Sequence, residues 1–264
     1  MALNKNKKEA NFNQEKITNK KEEFIRKYLP DYIRPADKPS LIYNLVKMVK
    51  SRLVEHVYGQ ENLPVGEKLF ISRHNEGDDI WRLMVALDEK VHLVASETIH
   101  WQDQLLFGVK KNLMKELEML PLRAKFPELS LEEKKEILKR APFWEKRNQE
   151  KILRYSAVDL LKNKKYLKQI VAVLLAGQNI QLFVDGLWTR LKNDPRHPFP
   201  GYGLIAKLYQ KINEQALPII PVAFKKKDVY LGKPFYVDKQ SNREELSEIA
   251  RFQLERVISK NKTT

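Results

Sequence analysis

Residues 71–81 read ISRHNEGDDIW. One imidazole, His74, is followed within five residues by Glu76, Asp78 and Asp79. Three chemistries fit these residue types. A carboxylate on one imidazole nitrogen fixes the tautomer and stabilises the imidazolium that forms when the other nitrogen takes a proton, so His74 and Asp79 can act as a general base and its orienting group. The same side chains are metal-ligand types, although one local histidine makes a thin ligand set. Asp78 or Asp79 can instead simply cap a helix. His92 and Glu97 share the spacing, but His92 opens an apolar run and reads as structural.

The elements around this stretch decide what it can do. KLFIS (68–72) reads as a strand and the segment Asp79 to Leu87 as a helix with Ile80, Leu83, Met84 and Leu87 facing inward. His74 therefore follows a strand end, where open α/β sheets gather their ligands, and Gly77 lets the connection bend. VHLVAS (91–96), NIQLFV (179–184), LPIIPVAF (217–224) and DVYLGKPFYV (228–237) read as further strands. Helical patterns fall near 103–118, over 145–176 and over 241–258, the last opened by Ser241 or Asn242 ahead of Glu244 and Glu245 as a cap signal. Repeated βα units imply an α/β fold: a mostly parallel mixed sheet flanked by helices. The charged stretch 126–165 reads as a helical insertion outside the sheet.

Upstream, residues 1–20 read as a disordered basic tail and 21–57 as an N-terminal helical segment. In SLIYNLVKMVKSRLVEHV, Leu41, Ile42, Leu45, Val46, Val49, Leu53 and Val57 keep helical spacing, with Lys47, Lys50 and Arg52 elsewhere on the wheel. Such a helix either packs its apolar face on the domain or lies in a membrane interface. The remaining domain spans 58–264.

Composition narrows the partners. The chain has 264 residues, 49 Lys plus Arg against 34 Asp plus Glu, and a net charge of +15, which favours an anionic partner. The absence of cysteine excludes disulfides, thiolate metal sites and a cysteine nucleophile. The amino terminus lacks the apolar core of a secretory signal, and the longest apolar run, Ile170 to Gly177, falls far short of the roughly 20 residues a spanning helix needs. Nucleic acid is not expected, because neither a glycine-rich RNA motif nor an aromatic-basic platform stands out.

Several segments, in order, carry a resemblance. YGQENLPVGEKLFISRHNEGDDIWRLMVAL resembles the first block of the glycerolipid acyltransferase family typified by 1-acylglycerol-3-phosphate acyltransferases, where G-x-E-N-L-P precedes a strand and N-H-x-S-x-x-D. WQDQLLFGVKKNLMKELEMLPLRAK is similar to the second block, IQLFVDGLWTR to the third (usually F-P-E-G-T-R-S), and LPIIPVAF to the proline-flanked fourth. HPFPGYGLIAKL and VYLGKPFYVDKQSNREELSEIARFQLERV match the connecting and closing segments, so the resemblance covers about 56–258.

The resemblance implies a glycerol-3-phosphate acyltransferase-like fold and transfer of a fatty acyl group from a thioester of coenzyme A or acyl carrier protein to the hydroxyl of a lysophospholipid such as lysophosphatidic acid. The thioester is a co-substrate, with no cofactor and no metal. His74 would be the general base and Asp79 its orienter. Arg123, Asp185, Gly186, Thr189 and Arg190 would bind the acceptor, arginine suiting phosphate because its planar fork holds two oxygens. An insoluble acceptor implies a cytoplasmic protein peripheral on the inner face of a membrane, attached through an anionic lipid surface. The chain departs from the family at Arg73, Glu76 and Val184–Asp185, and Leu187 and Trp188 separate Gly186 from Thr189. These departures leave open a different hydroxyl or amine acceptor.

Overall fold

The structure is a computed structural model, which describes residues 2–73, 78–96, 113–122, 132, 135, 139, 160–184 and 200–260. Its strands are β1 (His56–Tyr58), β2 (Leu69–Ser72), β3 (Val91–Ser96), β4 (Leu120–Leu122), β5 (Asn179–Phe183), β6 (Ile219–Lys225) and β7 (Asp228–Leu231). Its helices are α1 (Ala2–Tyr28), α2 (Leu41–Val49), α3 (Asp79–Ala86), α4 (Leu113–Glu116), α5 (Leu160–Leu175), α6 (Gly201–Asn213) and α7 (Arg243–Lys260).

The strands form one seven-stranded sheet in the order β1-β7-β6-β2-β5-β3-β4. From β6 through β4 every pairing is parallel. The short β6–β7 hairpin is antiparallel, and β1 joins β7 in parallel at the edge. Strand alternation sorts the two faces. Leu69, Ile71, Ile180 and Leu182 pack with α5, α6 and α7, while Phe70, Ile220 and Val222 pack with Leu83 of α3 and with Leu87, which caps that helix. This is the mostly parallel α/β sheet expected, and Leu83, Met84 and Leu87 are buried as the helical pattern implied. Asn242 accepts from the backbone N–H of Glu244 and Glu245, and Glu245 accepts in return from Asn242 N–H, a complete capping box. Gly203 lets α6 meet α7, since a Cβ there would stand 2.5 Å from Leu246.

The amino-terminal reading needs correction. The segment expected to be a disordered tail belongs to one helix, α1, whose Phe24 and Ile25 pack on the main core. That anchored end supplies the packing that a short isolated helix lacks. The helix expected over 40–57 stops at Val49; a 3-10 turn (Ser51–Leu53) follows, and His56–Tyr58 is the edge strand. Its single apolar stripe is also split. Tyr43 is buried and Ile42 and Val46 pack inward, whereas Leu41, Leu45, Met48 and Val49 are 81%, 50%, 64% and 65% exposed. The last strand ends at Leu231 rather than 237, leaving one bridge between Phe235 and Ile219. Proline at position 234 cannot donate to a ladder. Apart from helical, exposed Glu132, Lys135 and Lys139, the stretch 126–159 lies outside the described residues, as do Glu97 and Ile80's side chain.

At the amino ends of the strands a buried polar network joins distant segments. The Glu118 carboxylate accepts from Arg34 N–H (2.8 Å), Ser40 N–H (3.2 Å) and Lys90 Nζ (2.5 Å). At the rim of the network, buried Lys68 donates through Nζ to the exposed Glu89 (2.7 Å), which also accepts from Asn179 (2.8 Å). His92 is fully buried and structural: its Nδ1 lies 2.9 Å from the Glu118 carbonyl and its Nε2 2.7 Å from the Gln178 carboxamide. Burial, the largest influence, pushes the His92 pKa below its ordinary 6.5 and keeps the ring neutral.

The sign of the resulting pH dependence follows. Below pH 6.5 the unfolded chain takes up a proton on His92 that the native state refuses, so stability is present above 6.5 and lost as pH falls. The limiting slope is about 1.4 kcal/mol per pH unit. Urea midpoints between pH 6.5 and about 5 should fall more steeply for the parent than for His92→Gln. Parallel curves would show that His92 does not carry the dependence.

Candidate active site

The strand end that precedes the histidine motif is a topological switch point. Ser72 closes β2 and is paired with Phe183 of β5; Val184 N–H donates to the Ser72 carbonyl at 3.0 Å. From β2 the chain passes through α3 on the Phe70 face, and from β5 through α6 on the Leu69 face. Neighbouring parallel strands whose connections part to opposite faces leave a crevice at their carboxyl ends. Residues 74–77 and 185–190 follow from these two ends in the sequence. β4, which precedes Arg123, lies beyond β3 on the β5 side.

Within the described residues the site is anchored by Asp79, the first residue of α3. Its side chain is buried, and Oδ1 accepts from Arg82 Nη1 at 3.2 Å. Asp78 stands at the N-cap position in a helical conformation and makes no side-chain capping bond; it meets Lys50 at 3.5 Å instead. Asp78, at the N-cap, thus supplies no side-chain cap. One carboxylate is buried with a guanidinium, and the other ties α2 to the head of α3.

Arg82 is a residue that sequence reasoning missed. The signal was present as an Asp/Arg pair three apart on one helix, a spacing that brings side chains together. A buried ion pair fixes the position of its carboxylate, which an orienting group requires.

Two further groups border the crevice. Gln181 is buried on β5; its Nε2 donates to Ser72 Oγ at 3.4 Å, and its Oε1 has no partner among the described residues. Arg73, the last described residue before His74, is half-buried, and its Nε–H likewise has no partner among the described residues. Buried polar atoms without partners are uncommon and mark places where a ligand or water completes the bonding. Of the site residues read from sequence, only Asp79 is described. His74, Arg123, Asp185, Gly186, Thr189 and Arg190 lie outside the described residues, as does Glu76.

Removing Arg82 takes the guanidinium from a buried carboxylate. Arg82→Met should lower the unfolding free energy by about 3–5 kcal/mol, and adding Asp79→Asn to it should recover part of that loss. Equal and additive losses in a urea double-mutant cycle would show the two residues to be uncoupled.

No protein-family profile matches the chain, and no curated protein does. Among solved structures it is similar to the 1-acyl-sn-glycerophosphate (LPA) acyltransferase PlsC from Thermotoga maritima, at 15% identity over 83% of this chain and 78% of that one, with a TM-score of 0.45. At that distance the likeness transfers no residue role.

Proposed function

We propose that the protein is an acyltransferase that moves a fatty acyl group from an acyl thioester, of coenzyme A or acyl carrier protein, to the hydroxyl of a lysophospholipid such as lysophosphatidic acid. The observation that carries this reading is Asp79, a buried, ion-paired carboxylate at the carboxyl end of β2, five residues after His74. The ordered resemblance of the sequence blocks supplies the reaction class.

In this reading His74 takes the proton of the acceptor hydroxyl while the oxygen attacks the thioester carbonyl; Asp79 holds the ring and stabilises the imidazolium. The tetrahedral intermediate collapses with loss of the thiolate, which recovers the proton from His74. No covalent acyl-enzyme, resident cofactor or metal enters this scheme. Arg123, Asp185, Gly186, Thr189 and Arg190 bind the acceptor. Arg73 adds a guanidinium beside His74 that offsets Glu76, so a phosphate-bearing acceptor is not repelled.

The outer stripe of α2 supports attachment to an anionic membrane surface, on the inner face of a cytoplasmic membrane. Leu41, Leu45, Met48 and Val49 recur at helical spacing and face solvent, and Lys50, at the end of the helix, meets Asp78 beside Asp79. Among the described residues no helix is long and apolar enough to cross a bilayer.

Transfer of a radiolabelled long-chain acyl group to lysophosphatidic acid should be abolished by His74→Ala. Asp79→Asn should reduce it by about 10²–10⁴-fold, with a chelator without effect. Undiminished turnover in folded His74→Ala would sink the mechanism. Leu45→Glu with Met48→Glu should stop flotation on vesicles of anionic lipid while leaving the thermal midpoint near that of the parent, because both side chains are solvent-facing. Unchanged flotation would remove α2 from the attachment.

A further inference from the structure

On the α7 side of the sheet, at the β1 edge, a second recess of about 250 Å³ opens between β1, β7 and the end of α7. Tyr58 and Tyr230 are cross-strand partners whose rings stack at 4.8 Å and 12°. They alternate with Val57 and Val229, which pack with the α3-side core, so the two rings stand on the opposite face. His56 continues the ladder, its ring 6.0 Å from that of Tyr58. A cross-strand tyrosine pair alone is ordinary sheet stabilisation. The cavity beside it is not: Lys233 and Arg256 line it, and neither side chain pairs with a carboxylate among the described residues. Among the described residues, Glu61 is the one carboxylate in the lining.

Gly59 (φ +84°) and Gly232 close the floor. A Cβ on Gly59 would stand 2.1 Å from the Leu231 carbonyl, and one on Gly232 would stand 2.6 Å from both Pro221 and Val257. The close approach brings the ends of β1 and β7 and the last turns of α7 around one space.

We propose that this recess is a binding site for a nucleotide. A planar base extends the stack begun by Tyr230 and Tyr58, whose ring belongs to a residue 47% exposed. The phosphate meets Lys233 and Arg256, and Glu61 accepts from the sugar hydroxyls, as acidic residues do at other nucleotide sites. The volume, about 250 Å³, is a little below the roughly 300 Å³ at which small-molecule pockets begin, so the recess takes one nucleotide at most and leaves part of it in solvent. Leu231 is level with Val222 and through it with Ser72, two strands away. At ordinary strand spacing that is about 10 Å from the end of β2. The same chemistry therefore comes from two sources: a free mononucleotide, or the nucleotide end of a thioester donor whose acyl end reaches the active site. The second source rests on the acyltransferase reading; the first does not.

Calorimetric titration of the full chain with AMP, coenzyme A and inorganic phosphate tests the site. AMP and coenzyme A should bind one to one, inorganic phosphate far more weakly. Tyr58→Leu and Arg256→Ala should each weaken binding about tenfold or more, while Lys239→Ala, at an exposed lysine outside the recess, should not. Coenzyme A binding tenfold tighter than AMP identifies the donor's nucleotide end; equal affinities identify a free nucleotide. His74→Ala should bind both as the parent does, so loss of acyl transfer and loss of nucleotide binding are read separately. No saturable binding of AMP or coenzyme A, or binding that Tyr58→Leu and Arg256→Ala leave intact, would overturn the proposal. So would equal weakening by Lys239→Ala, which would mark the binding as charge alone.

Discussion

The Glu118 carboxylate is the constraint from which the placement of the active-site helix follows. It sits in a left-handed turn (φ 54°), a conformation that costs a non-glycine residue about 1–2 kcal/mol, and is held there by three donors. Two of those donors are backbone N–H groups of the segment that leads into α2. Ser40, fixed in this way, accepts from Tyr43 N–H as the helix cap and donates to the Glu116 carbonyl. Tyr43 OH in turn accepts from Val91 N–H at the start of β3. One buried charge thus sets where α2 begins and on which turn it faces the sheet. Its far end then delivers Lys50 to Asp78, one residue from the carboxylate on which the proposed chemistry depends.

The two ends of the parallel strands treat polarity differently. At the amino ends, Lys68, Asn179, Lys90, Glu118 and His92 are buried in bonds that the protein itself completes, with the exposed Glu89 accepting from Lys68 and Asn179 at the rim. Such a closed network fixes register without offering anything to a ligand. Beyond the carboxyl end of β2 stands the buried Asp79–Arg82 pair, and Arg73 and Gln181, which follow and adjoin Ser72, carry atoms that find no partner among the described residues. Order is built at one edge and bonding capacity is left at the other, which agrees with where ligands collect on open sheets.

How much of this is legible in the sequence depends on the range of each interaction. The strands β2, β3, β5 and β6, the buried face of α3 and the capping box at Asn242 come from patterns a few residues long, and the sequence carries them in full. His92 reads as structural for the same reason, since it opens an apolar strand. The misread parts are those settled by partners far along the chain. Nothing near residues 54–58 announces an edge strand, because its pairing depends on residues 228–230. Nothing near Glu118 announces a hub, because two of its partners lie 78 and 84 residues away. Tyr43 is polar enough to be passed over on a helical wheel, yet it is the side chain of α2 that is fully inside. For the site, the spacing of His74 and Asp79 is legible, whereas the guanidinium that holds Asp79 takes its meaning from burial.

The placement of β1 carries a consequence for biosynthesis. A ribosome makes this strand long before its partner: His56 meets Asp228 across 172 residues. Until then the early segments, α1 included, have no finished sheet or α5–α6 layer to lie against. Pairings of such long sequence separation form slowly, and strands awaiting them are prone to wrong partners. The nascent chain therefore holds β1 in waiting while the 172 residues that separate His56 from Asp228 are made, and a product that stops before β7 cannot complete its own sheet.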